Sequence, residues 1–477
     1  MKWYTFHLKP IIDGMDMAED SFRSGMSFKA LLIVCGIAVL AFGVHQFFRV
    51  GSPPDIRINP AMSSIGKRTP VAIEIAEHRR GLTYIRVELI QGNKTATIAE
   101  KNYPSSSQFA FWGAKTERDV LNVKVGRAVM PDLTGGSAII RVTAGRADTW
   151  MRHPAPVVDE VSLPVKFVPP SLQLTSTQTY VAQGGCEVVT YRVGESSVRD
   201  GVRAGSWWFP GYRLPGGGKL DRFALFAVPW DKTQSDVSLV AEDAGGNEAV
   251  RTFIDKFFPK SFKADQIAIS ESFLNKVVPE IMSQSPEVTD RGNLLDNYLA
   301  INRELRQKNA EEIQSLARQS KPEFLWNTSF LMMPNGKVMA GFADRRTYFY
   351  QGREIDQQTH LGFDLAVTKQ SPVPAANSGI VVCARFFGIY GNAVVIDHGF
   401  GLQSIYGHLS SIAVKEGQKI ARGEILGKTG ETGLAGGDHL HFCMLLQGFP
   451  VNPVEWWDGH WIQDRIAGKL GPGFEFK

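Results

Sequence analysis

Three histidine-bearing segments near the C-terminal end hold residue types that could build a metal-dependent hydrolase. They are 360–364 (HLGFD), 405–409 (IYGHL) and 438–442 (DHLHF). Six of the ten histidines lie beyond residue 359, which places the chemistry at that end. In a strand, residues i and i+2 share a face, so His439 and His441 project side by side while Leu440 and Phe442 turn to an apolar side. Such a pair alone is more often an exposed strand or loop feature than a site. His360 and Asp364, taken singly, would be a turn histidine and a capping or surface aspartate. Joined by one histidine of the H-x-H pair, they become a two-histidine, one-carboxylate set. Three protein ligands with a fourth position left for water is the pattern of catalytic zinc. Non-haem iron uses the same donors, so composition leaves the metal open.

The order and spacing of these segments carry further meaning. The region from about Phe330 to Trp457 contains GFADRRTYFYQGREIDQQTHLGFDLA, GIYGNAVVIDHGFGLQSIYGHL, VKEGQKIARGEILGKTGETG, GGDHLHF and VNPVEWW. It resembles the lysostaphin/LytM-type family of zinc endopeptidases, which cut the peptides of peptidoglycan. The resemblance implies one Zn²⁺ per chain, bound by His360, Asp364 and His441, with His439 unligated. It implies a further histidine of the site at His408. All five positions carry the expected residue type, which implies an active enzyme. One departure is Cys443, where the family commonly has glutamate after H-L-H-F.

Amide hydrolysis near neutral pH needs a strong nucleophile and a stabilised oxyanion, and zinc supplies both. No H-E-x-x-H helix is present, so proton transfer falls to the unligated histidines, whose ordinary pKa of about 6.5 suits it. We assign His439 as general base and His408 as donor to the oxyanion or leaving amine. The residues alone allow the reverse assignment. A rival reading makes the chain a non-catalytic or autoinhibited envelope regulator that activates or scaffolds other wall hydrolases, with residues 260–325 covering the groove. The complete ligand set argues against lost catalysis.

Other motifs fail. Gly427-Lys428-Thr429 resembles the end of a phosphate-binding loop, but Arg422 stands where the first glycine is needed. Lys419 and Lys428 lack a carrier-type lysine motif. His398 reads as a turn or strand-end residue. The four cysteines include no C-x-x-C, which excludes a zinc ribbon, a thioredoxin-type site and a disulfide-dense scaffold. Cys383 and Cys443 read as buried free thiols.

These residues need a scaffold, and the rest of the chain outlines it. With 477 residues, about three domains are expected, and 43% hydrophobic with 21% charged residues excludes wholesale disorder. A net charge of +4 is too small to indicate nucleic-acid binding. Residues 30–44 (ALLIVCGIAVLAFGV) extend to Phe48 as an uncharged run near the roughly 20 residues that cross a bilayer. The long polar segment before it and the lack of a small-x-small site after it favour an uncleaved single-pass anchor. Flanking basic residues are balanced, so orientation follows from the substrate implied by the resemblance. That gives the N-terminus in the cytoplasm and the catalytic domain in the periplasm, tethered to the cytoplasmic (inner) membrane.

The expected fold is mainly β with a helical insert. A cytoplasmic segment (1–29) and the transmembrane helix (30–48) come first. Runs such as 83–90 (TYIRVELI) and 138–142 (AIIRV) suggest a β-sandwich-like module over 55–168. A second β module spans 171–258, and its AEDAGGNEA ending (241–249) resembles bacterial immunoglobulin-like modules. A helical hairpin follows at 262–320, with Pro279 expected to kink or end its first helix. The antiparallel-β zinc peptidase domain covers 328–458, leaving a tail at 459–477. The β modules could dock cell-envelope partners.

Overall fold

The computed structural model describes residues 28–48, 50–104, 113–149 and 152–477. The expected N-terminal segment lies outside the described residues except for its last two, as does Arg49. Strands dominate, with one apolar helix near the N-terminus and a helical block before the last large sheet. The chain divides into two compact units, Met1–Ser63 with Pro70–Val165, and Ser64–Thr69 with Lys166–Lys477.

The first unit begins with helix α1, Phe28–Phe48, of 21 residues. At about 1.5 Å per residue it spans roughly 30 Å, the thickness of a bilayer's hydrocarbon core. Its large apolar side chains from Phe28 to Val44 are exposed, and none of the stretch Phe28–His45 is buried. Behind it, a three-stranded sheet and a four-stranded antiparallel sheet form from residues 55–165. Strict alternation builds their core: Val71, Ile73 and Ile75 on one strand, Ile85, Val87 and Leu89 on another.

In the second unit, residues 172–251 supply two four-stranded sheets. The 241–249 segment is a hairpin between Val237–Asp243 and Glu248–Arg251. The Asp243 side chain accepts from the Asn247 backbone at 2.9 Å, and Gly246 takes φ +75° to close the turn.

The helical block follows strand β1 (Ala264–Ile269). Helix α2 (Glu271–Gln284), capped by Ser270 on the Phe273 amide, runs through Pro279 rather than ending there. Leu274, Val277, Val278 and Ile281 are all buried on one face, and that packing offsets the missing backbone bond. Helices α3 (Leu294–Ala300) and α4 (Arg306–Ala317) form one rod joined by a π turn over Ile301–Leu305. Arg303 of this rod is exposed, and its guanidinium bonds Asp356 at 2.9 Å.

Strands β2 (Lys337–Ala340), β3 (Asp344–Tyr350), β4 (Arg353–His360) and β5 (Phe363–Ala366) come next. They are followed by β6 (Gly379–Phe386), β7 (Asn392–Gly399), β8 (Leu402–Leu409), β9 (Lys419–Ile420) and β10 (Leu440–Leu446). β1, β3 and β4 make a three-stranded sheet, with β1 parallel to β3. The larger sheet runs β2-β5-β10-β8-β7-β6-β9. Cys383 pairs with Val395, Val395 with Ile405, and Ile405 with Cys443. Three strand spacings of about 4.8 Å put the thiols roughly 14 Å apart, too far to bridge. All described cysteines are free.

The expected tail, 459–477, contains short helical turns. Gly459–Ile462, a π turn and Gly468–Leu470 are helical, and Ile462, Ile466 and Leu470 enter the core containing Val188 and Phe226. Their spacing of four is the helical repeat. Lys469 Nζ sits 3.1 Å from the fully buried Glu187 carboxylate. Burial pushes the Glu187 carboxyl up to about 7, with Lys469 pulling it back. The folded chain therefore holds a proton that the unfolded chain releases near pH 4.3, and stability falls as pH rises through that window. Lys469→Ala should destabilise by about 3 kcal/mol near pH 8, because it strands a buried charge. The loss should shrink at about pH 5, where the carboxyl is protonated. Thermal unfolding at both pH values checks this, and equal losses would refute it.

Candidate metal centre

The five histidine and aspartate positions arrive from both sheets. His360 ends β4, opposite Asp344 of β3. Asp364 on β5 pairs with His441 on β10, which pairs with Gly407 on β8. His408 is the next residue of β8. His439 enters β10 through a bridge to Gly430. The H-x-H pair faces the site as the period of two requires, while Leu440 and Phe442 join the apolar core. Gly362 permits the tight return between β4 and β5, since a Cβ there would lie 2.6 Å from the His441 ring.

Three donor atoms converge. His360 Nε2 and His441 Nδ1 each lie 3.0 Å from Asp364 Oδ1, and 3.2 Å from each other. A tetrahedral ion with bonds of 2.0–2.1 Å has ligand–ligand edges of roughly 3.3 Å, close to this triangle. The donors therefore fit a zinc-sized ion. His360, Asp364 and His441 also form a group able to hold a metal, with all ligand atoms within 4.8 Å of one another.

Hydrogen bonds fix which nitrogen faces inward. His360 Nδ1 donates to Gly341 O at 2.9 Å, leaving the Nε2 lone pair free for the centre. Asp344 in turn accepts from the Gly341 amide at 2.7 Å and anchors that turn. His439 Nδ1 donates to Gly437 O and His408 Nδ1 to Thr432 O, both at 2.8 Å. Their rings lie 4.8 Å apart, and His439 Nε2 lies 3.5 Å from Asp364 Oδ1. His408 sits at φ +62°, a conformation that a side chain adopts only where its surroundings enforce it.

The electrostatics follow from burial and from one carboxylate. Burial works to raise the Asp364 carboxyl, but bonds from His360, His439 and His441 hold it well below the usual range. Burial pulls His441 down to about 4. Burial, then the neighbouring His439 and His441, hold His408 well below its ordinary value. For His439, burial acts downward too, yet the Asp364 carboxylate outweighs it and the imidazole is raised. The two histidines outside the donor triangle are thus shifted in opposite directions.

One participant was missed by the sequence reading. Arg346 Nη2 donates to Asp364 Oδ2 at 2.8 Å. The signal was present in DRRTYFY, where strand alternation puts Arg346 on the face opposite Arg345. Cys443 shares the His441 face of β10, yet it lies buried among Ile313, Phe387 and Leu445, away from solvent. The predicted site residues His360, Asp364, His408, His439 and His441 are all brought together. His398 instead bonds Ser404 Oγ at 2.8 Å inside the core.

A two-histidine, one-carboxylate centre on an antiparallel sheet, flanked by two further histidines, defines the class of this domain. Residues 358–453 match Peptidase family M23, and the C-terminal region is an M23 peptidase domain. Among curated relatives, peptidoglycan DD-endopeptidase ShyA of Vibrio cholerae is 31% identical over 36% of this chain and 37% of its own length. DD-carboxypeptidase/endopeptidase Mpg of Neisseria meningitidis is 41% identical over 20% of this chain and 22% of its own. The chain thus spans little more than a third, at most, of these relatives. A solved structure of a catalytic-domain variant of the prophage-encoded M23 protein EnpA from Enterococcus faecalis is 28% identical, over 26% of this chain and 95% of that one, with a TM-score of 0.23.

Proposed function

We propose that this chain is a membrane-anchored zinc endopeptidase that hydrolyses peptide bonds in peptidoglycan stem peptides or cross-links during wall remodelling. The observation that carries the reading is the donor triangle of His360, Asp364 and His441, with two further imidazoles oriented beside it. A zinc ion held there supplies a water that is nucleophilic near neutral pH and polarises the scissile carbonyl. Every other task falls to side chains. His439, whose Nε2 faces Asp364, is placed to take a proton from the nucleophile. His408, held by Thr432, is placed to donate toward the oxyanion or the leaving amine. The names of the M23 relatives support peptidoglycan as substrate. Helix α1 supports tethering, with the N-terminus in the cytoplasm and the peptidase domain on the periplasmic side of the inner membrane, where peptidoglycan lies. Tethering concentrates the enzyme near the wall without binding energy of its own.

Metal analysis of the purified chain and mass spectrometry of its digests of purified peptidoglycan test this together. One zinc per chain and newly cleaved peptides are expected. Intact peptides with the zinc-loaded chain would sink the proposal.

A further inference from the structure

The carboxylate at the centre is held from behind by a residue of the other sheet. Asp364 Oδ1 faces His360, His439 and His441, whereas Oδ2 bonds Arg346. Arg346 comes from β3 in the three-stranded sheet, and Asp364 and His441 from the larger one. This ion pair therefore ties the two sheets together beside the site. Tyr348 lies two residues along the same strand as Arg346, on the same face. Its buried ring packs edge-on against Tyr298 of α3, with centroids 6.4 Å apart. The strand that carries the arginine is thus packed against the helical block.

We propose that Arg346 is a positioning residue of the site, which holds Asp364 so that it offers a single oxygen to the metal. This inference rests on the zinc-peptidase reading above. A carboxylate freed at Oδ2 could turn and present both oxygens, occupying the position that solvent and substrate need. It would also lose the fixed direction that makes it a tight ligand. Supporting residues of this kind typically contribute about 10–100-fold in metal affinity or activity. A merely structural ion pair would change folding stability and leave the metal and the turnover number alone.

The test loads the full chain with zinc and follows its release to a competing chelator, alongside kcat and KM on purified peptidoglycan. Arg346→Ala should release zinc about 10–100-fold faster and lose kcat with little change in KM. Arg346→Lys, which keeps the charge without the planar fork, should recover part of both. Arg345→Ala, on the exposed neighbour, should match the wild type and so separates position from general charge. Wild-type zinc release in Arg346→Ala overturns the proposal, as does an equal loss in Arg345→Ala. If Arg346→Ala does not fold, Arg346→Lys decides: severalfold faster release than wild type supports the proposal, and an unchanged rate overturns it. The two possible failures look different. A wild type that takes up no zinc removes the peptidase reading and this inference together, whereas zinc held equally by wild type and variant removes only the inference.

Discussion

His441→Ala is expected to lose both the metal and hydrolysis. His441 Nδ1 is one corner of a triangle only 3.0–3.2 Å on a side, and two remaining donors cannot hold a zinc-sized ion against exchange with solvent. The loss should exceed the roughly 10–100-fold typical of a supporting residue. Substoichiometric zinc after dialysis, with a preserved far-ultraviolet spectrum, is the expected measurement. Full zinc content would show that His441 is not a ligand.

His439→Ala should behave differently although it lies two residues away. Its Nδ1 is committed to Gly437 O, and its Nε2 sits 3.5 Å from Asp364 Oδ1, farther than either ligand nitrogen. Removing it leaves the donor triangle whole, so zinc should remain stoichiometric. Activity should fall by about 10²–10⁴-fold, the usual contribution of one positioned acid–base group. The decrease should appear in kcat, because the imidazole acts on protons moving in the transition state rather than on bound substrate. Near-normal turnover in a zinc-replete His439→Ala would remove it from the mechanism. Equal zinc and activity in both variants would overturn the division of roles between the two histidines of DHLHF.

Much of the architecture was legible because local patterns repeat with the period of the element they form. Alternating Val and Ile announced the strands, and the spacing of Leu274, Val277, Val278 and Ile281 announced α2. Elsewhere distant packing outweighed local chemistry. Pro279 does not break α2, because four buried side chains hold the helix on both sides of it. Residues 459–477 were expected as a tail, whereas Ile462, Ile466 and Leu470 join a core that also holds Val188 and Phe226, more than two hundred residues earlier in the chain.

The candidate donor residues were legible in the sequence: His360, Asp364 and one histidine of the H-x-H pair from their types and spacing, and His441 in particular from the family resemblance. H-x₃-D across a tight return and H-x-H along a strand bring side chains together by local geometry, whatever surrounds them. The sequence likewise showed an apolar run of near-bilayer length before the first strands. Only the tertiary structure decided which nitrogen of His360, His408 and His439 turns inward, because that depends on the carbonyls of Gly341, Thr432 and Gly437. It alone brought Arg346 to Asp364 across two sheets. Spacing along one strand fixes which side chains share a face, but the meeting of two sheets depends on packing over the whole core, which no short stretch of sequence encodes.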